Sequence, residues 1–84
     1  MSMFPERLKA ARIQSSLTRS QLASTIGVKK AAITRWESGS REPNFTRLVE
    51  LCDVLDVSSD YLLGRIVYYS DNHRSVTQGD QFSD

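Results

Sequence analysis

The order of apolar and polar residues along the chain predicts a set of short amphipathic helices. Phe4, Leu8 and Ala11 recur at spacings of four and three residues, which places them on one helix face, so we predict a first helix from Pro5 to Ser15. The clearest stripe lies further along the chain, at Leu48, Leu51, Cys52 and Leu55. Because Asn is a strong N-cap, Asn44 marks the start of the helix that carries this stripe.

Capping signals bound two further helices. Thr18 and Gln21 have the spacing of a capping box, which predicts that a second helix begins at Thr18. Gly27 can take the left-handed conformation that closes a helix, so this helix is predicted to end there. Ser58 is a candidate cap for a last short helix that runs through Leu63.

A third helix is predicted between these two, over residues 30–37. Ile33 and Trp36 stand three residues apart as its buried stripe, and Gly39 ends it. The opposite face is polar and basic, and it consists of Lys30, Ala31, Thr34 and Arg35.

The C-terminal part of the chain lacks helical periodicity. Residues 66–69 form a short apolar run with strand propensity, and the polar stretch 70–84 has almost nothing to bury. We therefore expect one folded domain over residues 1–65, followed over residues 66–84 by the short apolar run and a disordered tail.

Length and composition limit the classes of protein that this chain can represent. Its 84 residues suffice for one domain with a modest core. One His, one Cys and no Gly-rich phosphate loop leave no nucleophile–base pair, so we predict no enzymatic activity, cofactor, metal site or small-molecule ligand. The single Cys52 cannot form an internal disulfide, and no signal peptide or membrane span is evident, so a cytoplasmic location is expected.

Charge is distributed unevenly along the chain, although the formal net charge is only +1. Residues 1–47 carry nine Lys and Arg against three acidic residues, a net charge of +6, whereas residues 48–84 carry two against seven, a net charge of −5. This polarity predicts a polyanion partner on one face. The alternative is a chance distribution of solvated surface charge.

Helices 2 and 3, joined by a tight turn that contains Gly27, have the geometry that lets a helix enter the major groove of DNA. The same residues carry a family resemblance. The segments 21–23 (Gln-Leu-Ala), 26–28 (Ile-Gly-Val), 33–39 (Ile-Thr-Arg-Trp-Glu-Ser-Gly) and 60–64 (Asp-Tyr-Leu-Leu-Gly) resemble the lambda-repressor-like helix-turn-helix superfamily, also called the Cro/C1 or XRE type.

The resemblance covers roughly residues 4–64 and implies an all-α bundle of about five short helices with helix 3 as the recognition helix. It also implies a sequence-specific regulator of transcription that binds double-stranded DNA, of the phage-repressor type. The base-contacting residues would be Lys29, Lys30, Ala31, Thr34 and Arg35. The residue chemistry agrees, because Arg35 or Lys30 can donate to guanine O6 and N7 and the methyl group of Ala31 can contact thymine. The alternative is a solvated helix face.

Contacts to the DNA backbone are expected at helix starts and in one loop. Helix N-termini attract phosphate, and such contacts fix register without reading sequence. We expect them from Arg19, Arg41, and the backbone N–H groups of Asn44 and Phe45. The family pattern usually has Gln at the position of Arg19, and for Arg41 the alternative is a free loop arginine.

The resemblance also implies structural roles for several residues. Arg12 and Glu37 occupy positions that form a largely buried ion pair between helix 1 and the recognition helix in many family members. Trp36 is expected in the core rather than stacked on a base, and Cys52 is expected to be a small buried apolar residue rather than a redox switch.

Two residues depart from the family pattern. Ser16 stands where Gly commonly closes helix 1, so either a left-handed serine or a different turn is expected. Lys29 stands where Ser or Thr commonly caps helix 3, and a lysine there forfeits the cap and opposes the helix dipole. Because local rules tend to be broken at functional sites, we interpret Lys29 as a DNA-contacting residue.

An antitoxin or a protein-interaction adaptor built on the same fold remains the alternative function, because fold alone does not decide function. The basic face of helix 3 favours DNA. One short recognition helix reads few base pairs, so a homodimer on a pseudo-palindromic operator is expected. The predicted dimer surface is Tyr61, Leu62, Ile66, Val67 and Tyr68.

Overall fold

Five short α-helices form the fold of residues 3–67, which are the residues that the computed structural model describes. In chain order they are α1 (Phe4–Gln14), α2 (Arg19–Ile26), α3 (Lys30–Ser38), α4 (Phe45–Leu55) and α5 (Ser59–Leu62). All five predicted helices are confirmed, and so is the all-α class. None of these helices has the length and apolar composition needed to cross a membrane.

One apolar core forms where these helices meet, and every helix contributes to it. Its largest fully buried side chains are Leu8, Leu22, Ile33, Leu51 and Leu62. Burying a side chain of this size stabilises the fold by about 1.5–3 kcal/mol relative to leaving it exposed. Trp36 is only 7% exposed, which confirms its place in the core. The helix-turn-helix is held against α1 and α4 by this core.

The ends of α2 follow the local sequence signals. Thr18 Oγ1 accepts from the Gln21 amide at 3.0 Å, and the Gln21 side chain accepts from the Thr18 amide at 2.8 Å, so the capping box is complete. Gly27 closes the helix in the left-handed conformation, with φ of +80°. The turn toward α3 is therefore set by residues within α2 and immediately after it.

Ser16 adopts the left-handed conformation, with φ of +61°, so the chain turns there without the usual glycine. Asp56 does the same after α4, with φ of +57°, and this was not predicted from the sequence. Both residues carry a side chain where glycine would be unstrained, which costs about 1–2 kcal/mol each.

Arg7 of α1 binds both α5 and a residue that follows it. Its Nη1 donates to the carbonyl of Tyr61 at 2.9 Å and to the carbonyl of Ile66, and its guanidinium lies 4.5 Å from the Tyr61 ring centroid. Arg7, one of the basic residues of the N-terminal part, thus stabilises the end of the helical domain. Such a contact between residues more than fifty positions apart has no local sequence signal.

The predicted dimer surface around α5 is wrong for Leu62, which is fully buried in the core. The physical reason is that α5 is a single turn, and its one inward position is Leu62. Tyr61 and Ile66 are half-buried and Val67 is exposed, while Tyr68 lies outside the described residues. The expected boundary at residue 65 and the expected disorder of the tail also concern residues 68–84, which lie outside the described part, and both stay predictions.

Candidate nucleic-acid interface

The outer face of α3 presents every residue that was predicted to contact bases. Ile33 is fully buried and Trp36 almost so, and together they fix which side of α3 meets the core. The opposite side and the preceding turn are exposed, and they carry Lys29, Lys30, Ala31, Thr34 and Arg35. The structure thus brings the predicted base-contacting residues together on one surface, which is called here the α3 face.

The α3 face is strongly positive. Its three cations are Lys29, Lys30 and Arg35, and none of them forms an ion pair with any residue among 3–67. Their donors are therefore available to an external acceptor. The Thr34 hydroxyl donor is not available in the same way, because its Oγ1 already donates to the Lys30 carbonyl at 3.3 Å. Thr34 consequently offers its methyl group and an acceptor oxygen rather than a free donor.

Lys29 precedes α3 in the extended conformation of an N-cap, with φ of −82° and ψ of 151°. Its side chain makes no capping hydrogen bond, as predicted. The first turn of α3 also contains no acidic residue, so the positive end of the helix dipole lies beside two lysines. An anion bound there would relieve this repulsion.

The second group of predicted contacts surrounds the start of α4. Asn44 caps the helix, with its Oδ1 accepting from the Arg47 amide at 2.9 Å. The amides of Phe45 and Thr46 precede that bond and lie at an exposed helix start, where they can donate to phosphate. Arg41 is exposed in the loop before α4. Arg47 is instead used internally, because its Nη1 donates to the Ile26 carbonyl and to Glu50.

The ion pair between α1 and α3 is confirmed. Arg12 Nε donates to Glu37 Oε2 at 2.6 Å and its Nη2 donates to Oε1 at 3.2 Å, with side chains 9% and 3% exposed. Arg12 Nη1 donates to the Leu17 carbonyl at 2.9 Å. The pair fixes the end of the recognition helix against α1.

Arg19 forms an ion pair that was not predicted from the sequence. It begins α2, as expected, but its Nε donates to Glu37 Oε1 at 3.0 Å. Glu37 therefore serves two arginines from two helices. No local sequence pattern indicates this pairing, because it depends on how α2 and α3 cross.

An apolar cleft of about 210 Å³ lies beside the start of α4. Its walls are Phe4, Glu42, Pro43, Phe45, Leu48 and Leu63. Phe45 stands at its edge with 87% of its surface exposed, and Val49, one turn later on the same helix face, is 58% exposed. We call Phe45, Val49 and this cleft the α4 patch. Only the Phe45 amide was predicted to lie at a site, since one exposed phenylalanine has no periodic signal.

Cys52 is half-buried, and its environment makes it unreactive. Burial, with a smaller contribution from the nearby charge of Asp53, raises the pKa of its thiol to about 11. The thiolate fraction at neutral pH is therefore very small, which agrees with the predicted role as an apolar packing residue.

Comparison with known proteins places these features in a family. The helix-turn-helix family model matches residues 8–62. A relative from Bacillus subtilis, the uncharacterized HTH-type transcriptional regulator YqaE, is 46% identical over 61 residues, which are 73% of this chain and 53% of the relative. The repressor protein C2 of Salmonella phage P22 is 38% identical over 58 residues, covering 69% of this chain and 27% of that repressor.

Among solved structures, the crystal structure of the P22 c2 repressor protein in complex with a synthetic operator matches with a TM-score of 0.69 at 34% identity. The match covers 74% of this chain and 94% of that one. The chain spans about half the length of the first curated relatives that it matches.

Proposed function

This chain belongs to the helix-turn-helix family of the Cro/C1 or XRE type, and on that premise we propose that it is a sequence-specific, DNA-binding regulator of transcription of the phage-repressor type. The observation that carries the proposal is the α3 face, where three unpaired cations are exposed on the helix that the core holds outward. An adaptor that binds only proteins has no need of such a charged face.

In this function α3 enters the major groove and reads base edges. The Arg35 guanidinium donates two hydrogen bonds to guanine O6 and N7, and Lys30 donates to the same type of acceptor. Ala31 contacts a thymine methyl group. Lys29 lies at the start of α3, where its ammonium reaches either a base or the adjacent phosphate. Binding then occupies an operator and either blocks or recruits polymerase.

Phosphate contacts from both sides of α3 hold the helix in register. These contacts come from the segments that border α3. They are made by Arg19 at the start of α2, Arg41 in the loop after α3, and the amides near Asn44 and Phe45. These contacts contribute affinity and salt dependence without sequence preference. The proposal includes no catalytic step, and it places the protein in the cytoplasm.

A homodimer on a pseudo-palindromic operator completes the proposal, because α3 has only nine residues and reads too few base pairs alone. The α4 patch is the better candidate surface now that Leu62 is known to be buried. It offers both a protruding Phe45 ring and a cleft for the ring of a second copy, as a two-fold interface requires. The area that one Phe and one Val can bury is far below the roughly 800 Å² per partner that a stable interface buries. The dimer therefore forms on DNA.

Selection from a pool of random duplexes tests the proposed function. The protein is expected to enrich a sequence with two related half-sites whose centres lie about 34 Å apart, or a multiple of this distance. The double variant with Lys30→Ala and Arg35→Ala should lose the enrichment, whereas Lys9→Ala, which removes an exposed charge from α1, should keep it. Absence of any enriched sequence with the unmodified protein would contradict the proposal.

A further inference from the structure

The two arginines on Glu37 leave a surplus positive charge at one defined place. A single carboxylate cannot neutralise both guanidinium groups. Arg12 is buried, and its Nη1 is occupied by the Leu17 carbonyl, whereas 38% of the Arg19 side chain is exposed. The surplus charge therefore lies at the protein surface, on Arg19.

The way in which Glu37 holds Arg19 leaves one edge of the guanidinium available. The hydrogen bond to Glu37 uses Nε, and neither Nη atom of Arg19 donates to an acceptor among residues 3–67. Because the guanidinium is a rigid plane, anchoring Nε to a buried carboxylate also fixes the direction of the Nη pair. That pair is the fork that phosphate oxygens accept in a bidentate manner.

The backbone around Arg19 favours the same kind of ligand. Arg19 is the first residue of α2, whose first turn has no acidic side chain. The capping bond from Thr18 satisfies the amide of Gln21, so the amides of Arg19 and Ser20 have no partner within the helix. A guanidinium at this positive helix end is stabilised in the free protein by Glu37, and an anion on its outer edge would stabilise it further.

From this geometry we propose that Glu37 is a positioning residue, which holds the Arg19 guanidinium so that its Nη edge meets a phosphate of the DNA backbone. Glu37 belongs to α3, and Arg12 fixes its carboxylate. The position of the phosphate contact therefore depends on the position of the recognition helix. The register of α3 in the groove is thereby coupled to the backbone through one side chain. This inference rests on the proposed function and adds a residue to it.

Lysine substitutions separate positioning from charge. Affinity for a duplex of one fixed random sequence is measured against salt for the wild type and for Arg19→Ala, Arg19→Lys, Arg41→Ala and Arg41→Lys. Arg41 is the matched control, since it is an exposed loop arginine with no ion pair among the described residues. Arg19→Ala should reduce the magnitude of the log–log salt slope by about 0.9.

Arg19→Lys should lose almost as much affinity as Arg19→Ala, about tenfold, because a compact ammonium cannot serve Glu37 and a phosphate with separate edges. At position 41, where the arginine has no carboxylate partner among the described residues, lysine should restore a larger share of the affinity lost by the alanine variant than it restores at position 19. Circular dichroism confirms folding of each variant. If Arg19→Lys binds like the wild type, charge alone acts and the positioning role is refuted; if Arg19→Ala does so too, Arg19 makes no phosphate contact.

NMR of the Arg19 side chain shows whether its hydrogen bond to Glu37 persists in the DNA complex, which an affinity measurement cannot show. The Nε–H signal should remain protected from exchange with water in the DNA complex, since the bond to Glu37 persists while the Nη edge binds phosphate. Loss of that protection on binding would show that Arg19 leaves Glu37 and would overturn the inference. Failure of the wild type to bind any duplex would instead refute the proposed function, so the two failures are distinguishable.

Discussion

Single residues on the α3 face differ in what they should contribute to binding, and Arg35 is the clearest case. It is exposed, lies beyond the first turn of α3 and has no ion pair among residues 3–67, so both edges of its guanidinium are available to a base. We predict that Arg35→Ala flattens the preference at one base pair, with a loss of about 1–3 kcal/mol of discrimination. The preference is measured by competition between single-base variants of the selected operator.

Arg41→Ala is the comparison for this prediction, because a backbone contact carries no sequence information. It should weaken all duplexes by a similar factor and leave the preference unchanged. Equal weakening of operator and random DNA by Arg35→Ala would show that Arg35 is not a base reader.

Within the Arg12–Glu37–Arg19 cluster, removal of the acid and removal of the buried base should have unequal effects. Glu37→Gln leaves the buried Arg12 without a counter-charge, so we predict a loss of about 3–5 kcal/mol in the free energy of unfolding. Arg12→Met should cost less, because Glu37 keeps Arg19 at 3.0 Å. Urea denaturation of both variants measures the difference, and equal losses would contradict the sharing of Glu37.

At the scale of helices, the start of α3 combines poor local stability with predicted function. Lys29 already has the backbone conformation of an N-cap, so Lys29→Ser can supply the missing cap and remove a cation from the positive helix end. We predict a gain of about 1 kcal/mol in stability together with weaker DNA binding and a salt slope reduced by about 0.9 in magnitude. Thermal melting and titrations at several salt concentrations measure the two effects.

Lys9→Ser is the matched control, since it makes the same change of charge at an exposed position inside α1. It should neither raise the melting temperature nor reduce affinity to the same extent. A Lys29→Ser protein that binds DNA as well as the wild type would mean that this lysine is only a tolerated surface residue.

Helix boundaries were predictable from the sequence because their causes are local. The Thr18 capping box, Gly27 and the Asn44 cap act within four residues of the helix ends that they define. The pairing of Arg19 with Glu37 and the hold of Arg7 on the residues after α5 depend on how helices cross, which no local pattern contains. The burial of Leu62 was missed for the same reason, because only the packed core shows which side of α5 faces inward.

For the molecule as a whole, the buried core and the charged α3 face leave the α4 patch without a role in the monomer. Phe45 is 87% exposed, so its truncation should change the free energy of unfolding by less than about 0.5 kcal/mol. If the patch joins two copies on the operator, the same change removes the ring that enters the cleft of the partner. Stability and assembly are therefore separable at this residue.

We predict that Phe45→Ser lowers affinity for a two-half-site operator by about tenfold, as the loss of a central aromatic anchor does, while its affinity for an isolated half-site stays at the wild-type value. Sedimentation of the complexes should show two wild-type chains per operator and one chain of the variant at the same concentration. Ile13→Ser is the control, because it alters an exposed apolar residue on a different helix, α1, and it should behave as the wild type. Two chains of Phe45→Ser bound with undiminished affinity would place the dimer contact elsewhere, and variants of Ile66 and Val67 would then test the surface after α5.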